Sequence, residues 1–143
     1  MELIFFPHNE MHKLSHNFNT KDNRIKIGKP GEYDIQELLK KSSILITDYS
    51  SVFFDFVYMD KPVIFYQFDQ KDFYTKHYTG SGKASPFGNT FTDEEQLINE
   101  LENTIKRNCT LKKNYKDDAK NFYEHRDRKN CERVYNLIIK SSK

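Results

Sequence analysis

The chain has 143 residues, with 23 lysines and arginines against 21 aspartates and glutamates, so its formal net charge is +2. That near-balance argues against a protein whose main task is coating nucleic acid, and the length fits one domain of ordinary size. Mean hydropathy is −0.86, and no apolar run approaches the roughly 20 residues that a membrane-spanning helix needs.

Met1 to Phe6 lacks the basic region and small-residue cleavage site of a signal peptide. Cys109 and Cys131 lie far apart in polar surroundings, which argues against a disulfide framework or a cysteine-built zinc site. A cytoplasmic protein with reduced thiols is expected. Hydrophobic residues make up only 36%, but twelve phenylalanines and nine tyrosines supply large buried areas, so a compact core is within reach.

Leu3-Ile4-Phe5-Phe6 is a short apolar run ended by Pro7, the mark of a strand. Residues 9–23 are polar and predict a loose helix or a loop. Arg24 to Ile27 alternates polar and apolar before Gly28 and reads as a second strand. From Tyr33 to Lys41, Ile35, Leu38 and Leu39 fall on one helical face, with Asp34 as N-cap and Glu37 three residues on. Ile44 to Thr47 is apolar without alternation, as in a strand covered on both faces. Asp48-Tyr49-Ser50-Ser51 breaks it. Val52 to Met59 predicts a buried helix carrying one acid, Asp55, and Pro62 to Tyr66 a fourth strand, with proline at its first position.

Residues 67–90 read as irregular. Thr92 with Glu95 forms a capping box for a helix whose apolar face holds Leu97, Ile98, Leu101 and Ile105. Further helices are expected over about 111–123 and 129–139, the last with a stripe of Val134, Leu137 and Ile138. Alternating strands and helices predict an α/β fold with a parallel sheet over 1–91, followed by C-terminal helices over 92–143, within a single domain over 1–143.

In such sheets ligands bind beyond the carboxyl ends of the strands. Those ends are Pro7-His8, Asp48-Tyr49-Ser50-Ser51 and Gln67-Phe68-Asp69. Ser50 and Ser51, between a strand and a helix, suit a phosphate, and equally a plain helix cap. Asp55, one turn beyond Ser51, is either a half-exposed helix residue or an acceptor for ligand hydroxyls such as a ribose diol. His8 is either a surface histidine or an acid or hydrogen-bond donor to a leaving phosphate.

His8, His12 and His16 recur at spacing four, which on one helix would align three imidazoles for zinc. Pro7 and the neighbouring asparagines argue against that helix, and no metal is expected. Gly80-Ser81-Gly82-Lys83-Ala84 fails as a phosphate loop, because His77 and Ala84 stand where glycine and a hydroxyl are required. It reads instead as a loop beside the site. Lys112, Lys113, Lys116, His125, Arg126, Arg128 and Lys129 form either a solvated face or a contact for anionic head groups.

The stretch from Asp34 to Tyr66 resembles the CDP-glycerol glycerophosphotransferase family. Its centre is Leu45-Ile46-Thr47-Asp48-Tyr49-Ser50-Ser51, followed by Asp55 and Lys61-Pro62. Phe6-Pro7-His8 is similar to an Arg-Pro-His element of that family, and Phe68-Asp69 with Tyr74, and Asp127 to Val134, follow in family order. The resemblance implies the C-terminal, Rossmann-like half of a glycosyltransferase-B fold, holding CDP-glycerol as donor substrate, with no separate cofactor. It implies donor phosphates at Ser50 and Ser51, the nucleotide or glycerol end near Asp55, and His8 assisting transfer. Pro7, Asp48, Tyr49, Asp69 and Tyr74 would line the site.

The acceptor implied is a polyol-phosphate polymer, at the inner face of the cell membrane, and the missing partner is an N-terminal half or a second copy of the chain. Two departures stand out: Phe6 replaces a basic residue, and Arg128 a glycine after Asp127. On this reading the chain alone is inactive. The alternative is a non-catalytic nucleotide-binding or partner module. A receiver-like phosphoacceptor on Asp48 lacks the acidic pair it would need after the first strand.

Overall fold

The computed structural model describes residues 1–29, 31–77 and 87–141. The glycine-rich stretch 80–84 lies outside them. The chain forms two compact units, Met1–Ser42 and Ser43–Lys143.

The first unit holds strands β1 (Leu3–Phe5) and β2 (Ile25–Ile27), a 3-10 helix over Asn9–Asn17 and helix α1 (Ile35–Lys41). The two strands pair in parallel, with Ile4 opposite Lys26. The ladder continues past both ends, where Leu3 N donates to Arg24 O and Gly28 N to Phe5 O. Phe18 closes edge-on against Phe5 at 5.0 Å. Asp34 caps α1 as its position predicts, Oδ1 accepting from the amides of Gln36 at 2.8 Å and Glu37 at 3.1 Å. The carboxylate of Glu37 pairs with Lys40.

The second unit is built on β3 (Leu45–Thr47), β4 (Val63–Tyr66) and β5 (Gly88–Phe91), with helices α2 (Phe53–Tyr58), α3 (Gln70–His77), α4 (Glu94–Lys106), α5 (Lys113–Phe122) and α6 (Asn130–Ser141). The sheet runs β3-β4-β5, all parallel. The α/β character and the parallel pairing agree with the sequence pattern, and the five strands among the described residues fall into two sheets. No helix among the described residues is long and apolar enough to cross a membrane.

Two elements lie in the stretch that reads as irregular. α3 is mostly polar, which hides its helical period. β5 is Gly-Asn-Thr-Phe, with no alternation, and it is held by its ladder to β4 rather than by propensity. The N-cap of α4 is also one residue later than the capping box predicts. Asp93, in extended backbone, accepts from Gln96 N at 3.0 Å, and its carboxylate is a better acceptor for unpaired helix amides than the Thr92 hydroxyl.

Phe56, Val57, Val63, Ile64, Phe65, Phe87 and Ala119 form the buried core. β3, by contrast, is not covered on both faces, since Ile46 is 36% exposed. The stripe of Val134, Leu137 and Ile138 on α6 is exposed as well. Of the basic tail, Lys112 pairs with Glu100, and Lys116 and Arg126 with Asp60, so part of it is internal scaffolding rather than a free basic face.

The connection from α5 to α6 is fastened to α2. Tyr123 Oη donates to Phe54 O at 2.7 Å and Tyr58 Oη to His125 O at 3.4 Å. Arg126 bonds Tyr58 O and Asp60 Oδ1. Asp60 ends α2 in the left-handed region, at φ 58°. Arg128 is also left-handed, at φ 64°, so the turn keeps a glycine-like backbone without a glycine.

Two outcomes follow from this packing. A β-carbon at Gly88 would overlap the Val63 carbonyl oxygen and lie 2.9 Å from the Phe65 ring, so Gly88→Ala is expected to cost about 1–3 kcal/mol in urea unfolding. Burial, with the nearby Asp55 charge, pushes the Tyr123 phenol from its ordinary value of 10.0 up to about 12. The folded state therefore favours the neutral phenol, a contribution complete below pH 10 and lost as pH rises to about 12. Tyr123→Phe should cost about 1 kcal/mol at neutral pH through the lost hydrogen bond and flatten the decline in stability over that alkaline window, read by denaturation at stepped pH.

Candidate functional site

Parallel pairing of β3 and β4, with Thr47 opposite Phe65, places the loops that follow them at the same edge of the sheet. The first loop is Asp48 to Val52 and the second Gln67 to Asp69. They are joined twice. Gln67, 4% exposed, donates from Nε2 to Asp48 O at 3.0 Å and accepts at Oε1 from Gln70. Tyr49 Oη donates to Asp69 Oδ1 at 2.9 Å. A buried amide satisfied at both ends fixes geometry as well as energy.

The Tyr49 ring stacks on Phe73 at 3.5 Å with an interplanar angle of 3° and meets Tyr74 edge-on at 6.1 Å. Burial first, then the bond to Asp69, pushes its phenol far above the ordinary value, so it stays a donor at any physiological pH. The Asp48 carboxylate accepts from Tyr49 N at 2.6 Å and tightens the start of the loop. Asp48, Tyr49 and Asp69, which strand-end reasoning names, are therefore brought into one cluster together with Tyr74, which the resemblance adds.

Ser50 and Ser51 are exposed on this loop. The N-cap of α2 is Val52, in helical backbone, with no side-chain capping bond. Ser50 Oγ reaches Val52 N only at 3.5 Å, and among the described residues the Ser51 hydroxyl caps nothing. The plain-cap explanation of the pair is thus weak. Lys61 closes the far end of α2 with its amine 5.2 Å from the Phe56 ring centre; burial lowers its pKa.

Asp55 is exposed in the first turn of α2 and lines a cavity of about 420 Å³ with Phe54, Tyr58, Phe122 and Tyr123. The far wall comes from Glu124, His125 and Asn130, which sequence reasoning did not connect to the site. The signal for them is three-dimensional, since Tyr123 bonds a carbonyl 69 positions earlier.

Pro7 and His8 belong to the first unit. Pro7 is buried and His8 exposed. His8 Nδ1 accepts from Glu10 N at 3.4 Å, which leaves Nε2 to carry the proton of the neutral ring. Among the described residues no group of three or more histidine, cysteine or carboxylate side chains is placed to hold a metal.

Residues 1–140 match the family described as CDP-Glycerol:Poly(glycerophosphate) glycerophosphotransferase. The minor teichoic acid biosynthesis protein GgaB of Bacillus subtilis is 31% identical over 138 residues, which cover 96% of this chain and 15% of that protein. The teichoic acid glycerol-phosphate primase of the same organism is 36% identical over 62% of this chain and 24% of its own length. A teichoic acid poly(glycerol phosphate) polymerase of Bacillus spizizenii is 38% identical over 64% of this chain and 22% of its own. The chain thus spans less than a quarter of the length of these relatives. No solved structure matches it. With nearly its whole length matched, the chain belongs to the CDP-glycerol:poly(glycerophosphate) glycerophosphotransferase family.

Proposed function

We propose that the chain is the donor-binding part of a glycerophosphotransferase and binds CDP-glycerol. The observation that carries this is the Ser50–Ser51 loop. It is exposed at the carboxyl edge of a parallel sheet, its hydroxyls are barely used as caps, and it is braced by Gln67 and Tyr49. Such an edge is where open α/β sheets take their ligands, and the serine pair lies inside the matched family region.

In this reading Ser50 and Ser51 hold the donor phosphates and Asp55 accepts from a hydroxyl of the donor. His8, in the first unit, is assigned a part in assisting transfer by the resemblance of Phe6-Pro7-His8 to the family's Arg-Pro-His element alone. An acceptor hydroxyl attacks the glycerol-bearing phosphorus, the new ester bond forming as the bond to CMP breaks, and the hydroxyl proton is released to solvent or to the departing CMP phosphate. Transfer needs both substrates held together, and the acceptor, a polyol-phosphate polymer at the inner face of the membrane, is assigned to a further protein segment or a second subunit. A second reading, a non-catalytic partner module, is favoured by one observation. Val134, Tyr135 and Leu137 stand on α6 at 56%, 64% and 64% exposure, an apolar row of the kind that partners cover.

Calorimetric titration with CDP-glycerol, CDP, CMP and UDP tests the proposal. Cytidine diphosphates should bind in preference to UDP, and Ser51→Ala should weaken binding by about 1–3 kcal/mol, the range for a lost bond to a charged group. A folded chain that binds none of them at millimolar concentration would sink the donor-site reading and leave the partner module.

A further inference from the structure

The cavity beside α2, at about 420 Å³, has the size of a small-molecule site, and its lining selects a narrow chemistry. Four of the lining side chains are aromatic: Phe54, Tyr58, Phe122 and Tyr123. Tyr123 stands at 80° to Tyr58 and at 83° to Phe122, with ring centres 5.3 and 5.0 Å apart. Rings set at right angles form the walls of a corner rather than a flat patch. The remaining lining residues are Asp55, Glu124, His125 and Asn130. Glu124 has His125 Nε2 at 3.8 Å, an ion pair only when that imidazole is protonated. Asp55, exposed in the first turn of α2, is in no ion pair among the described residues.

No lysine or arginine is among the lining residues, so an anion would meet two like charges there. A bare metal ion is served no better, since among the described residues no group of three or more histidine, cysteine or carboxylate side chains is placed to hold one. An organic ammonium ion uses both halves of the lining, the carboxylates for its charge and the ring faces for its alkyl groups and for cation–π attraction. A quaternary ammonium has no N–H to satisfy, so aromatic walls cost it no hydrogen bond. Two of these rings already attract a cation: the Arg126 guanidinium, which is not a lining group, lies 5.3 Å from the centre of Tyr58 and 5.9 Å from that of Tyr123. Its charge is matched by Asp60. Phe54 and Phe122 have no such cation among the described residues.

We propose that this cavity binds a quaternary ammonium group, with Phe54, Phe122 and the neighbouring tyrosines as its walls and Asp55 and Glu124 as its counter-charges. CDP-glycerol carries no such group, so the ligand is a second one and the inference does not rest on the donor reading. A carboxylate offers roughly four lone-pair sites, so Asp55 can face an ammonium and still accept from a donor hydroxyl.

Amide NMR of the 143-residue chain tests this at about pH 8, above the range in which histidines change charge. Choline and dimethylbutanol, its uncharged isostere with carbon in place of nitrogen, are titrated separately to ~50 mM, the weak end for ligands of this size. Sodium chloride is the ionic control. Choline should shift the amides of Asp55, Glu124 and His125, and the isostere should act at least ~5-fold more weakly. Glu124→Gln and Phe122→Leu should each weaken the choline response ~3-fold, the scale of one exposed charge pair or one ring face. Unchanged signals from Leu45 to Thr47 verify that the variants are folded. An isostere response equal to that of choline, or the same shifts from sodium chloride, overturns the proposal. CDP is titrated in parallel and reads the serine loop. Choline shifts without CDP shifts at Ser50 and Ser51 remove the donor reading and leave the cavity; the reverse removes the cavity reading alone. Phosphatidylcholine vesicles distinguish the source: sedimentation of the chain with them assigns a lipid head group, and choline shifts without it a soluble ligand.

Discussion

The second unit depends on β4. Val63, Ile64 and Phe65 are buried in succession, and the strand is paired in parallel on both sides. With both ladders filled, its backbone has nowhere else to go, and the register of β3 fixes where the following loops emerge. The shared edge from which both loops emerge is a consequence of that register. Gln67, directly after β4, turns the constraint into a tie by reaching across to Asp48 O. The loop carrying Ser50 and Ser51 is thus braced by a strand end and not by its own short helix.

Much of this was legible in the residues. Unbroken apolar runs mark β3 and β4, and the 3.6-residue spacing of apolar residues marks α1, with Asp34 as its cap, and α4, with a capping box one residue early. Once the strands are recognised as parallel, their carboxyl ends locate Asp48 to Ser51 and Asp69 with no further information. β5 was illegible because Gly88, Asn89 and Thr90 carry no strand pattern of their own. Its place is decided by close approach to β4, at a glycine that tolerates no side chain. The periodicity of Val134, Leu137 and Ile138 gave the helix correctly, but amphipathicity cannot tell what, if anything, covers the apolar face. Glu124, His125 and Asn130 were missed for a related reason: their proximity to Asp55 arises from a chain reversal that no local pattern encodes.

The serine loop and the cavity beside α2 differ in origin. The serine loop follows from sheet topology and is polar and exposed. The cavity follows from the fastening of the α5–α6 connection onto α2 and is aromatic and acidic.

The corner at Asp60 carries one more consequence. Its left-handed backbone is unfavourable for an aspartate, and it is offset by ion pairs to Arg126 at 3.2 Å and Lys116 at 3.7 Å. Ionic strength acts on these two contributions unequally. Salt screens partly exposed charge pairs but leaves a steric preference of the backbone untouched. As salt rises, the corner keeps its strain while losing part of what opposes it, and the loosening falls where α2 meets the segment that walls the cavity. The shape of that compartment is in this way tuned by the electrolyte around the protein, although no charged residue of the corner lines it.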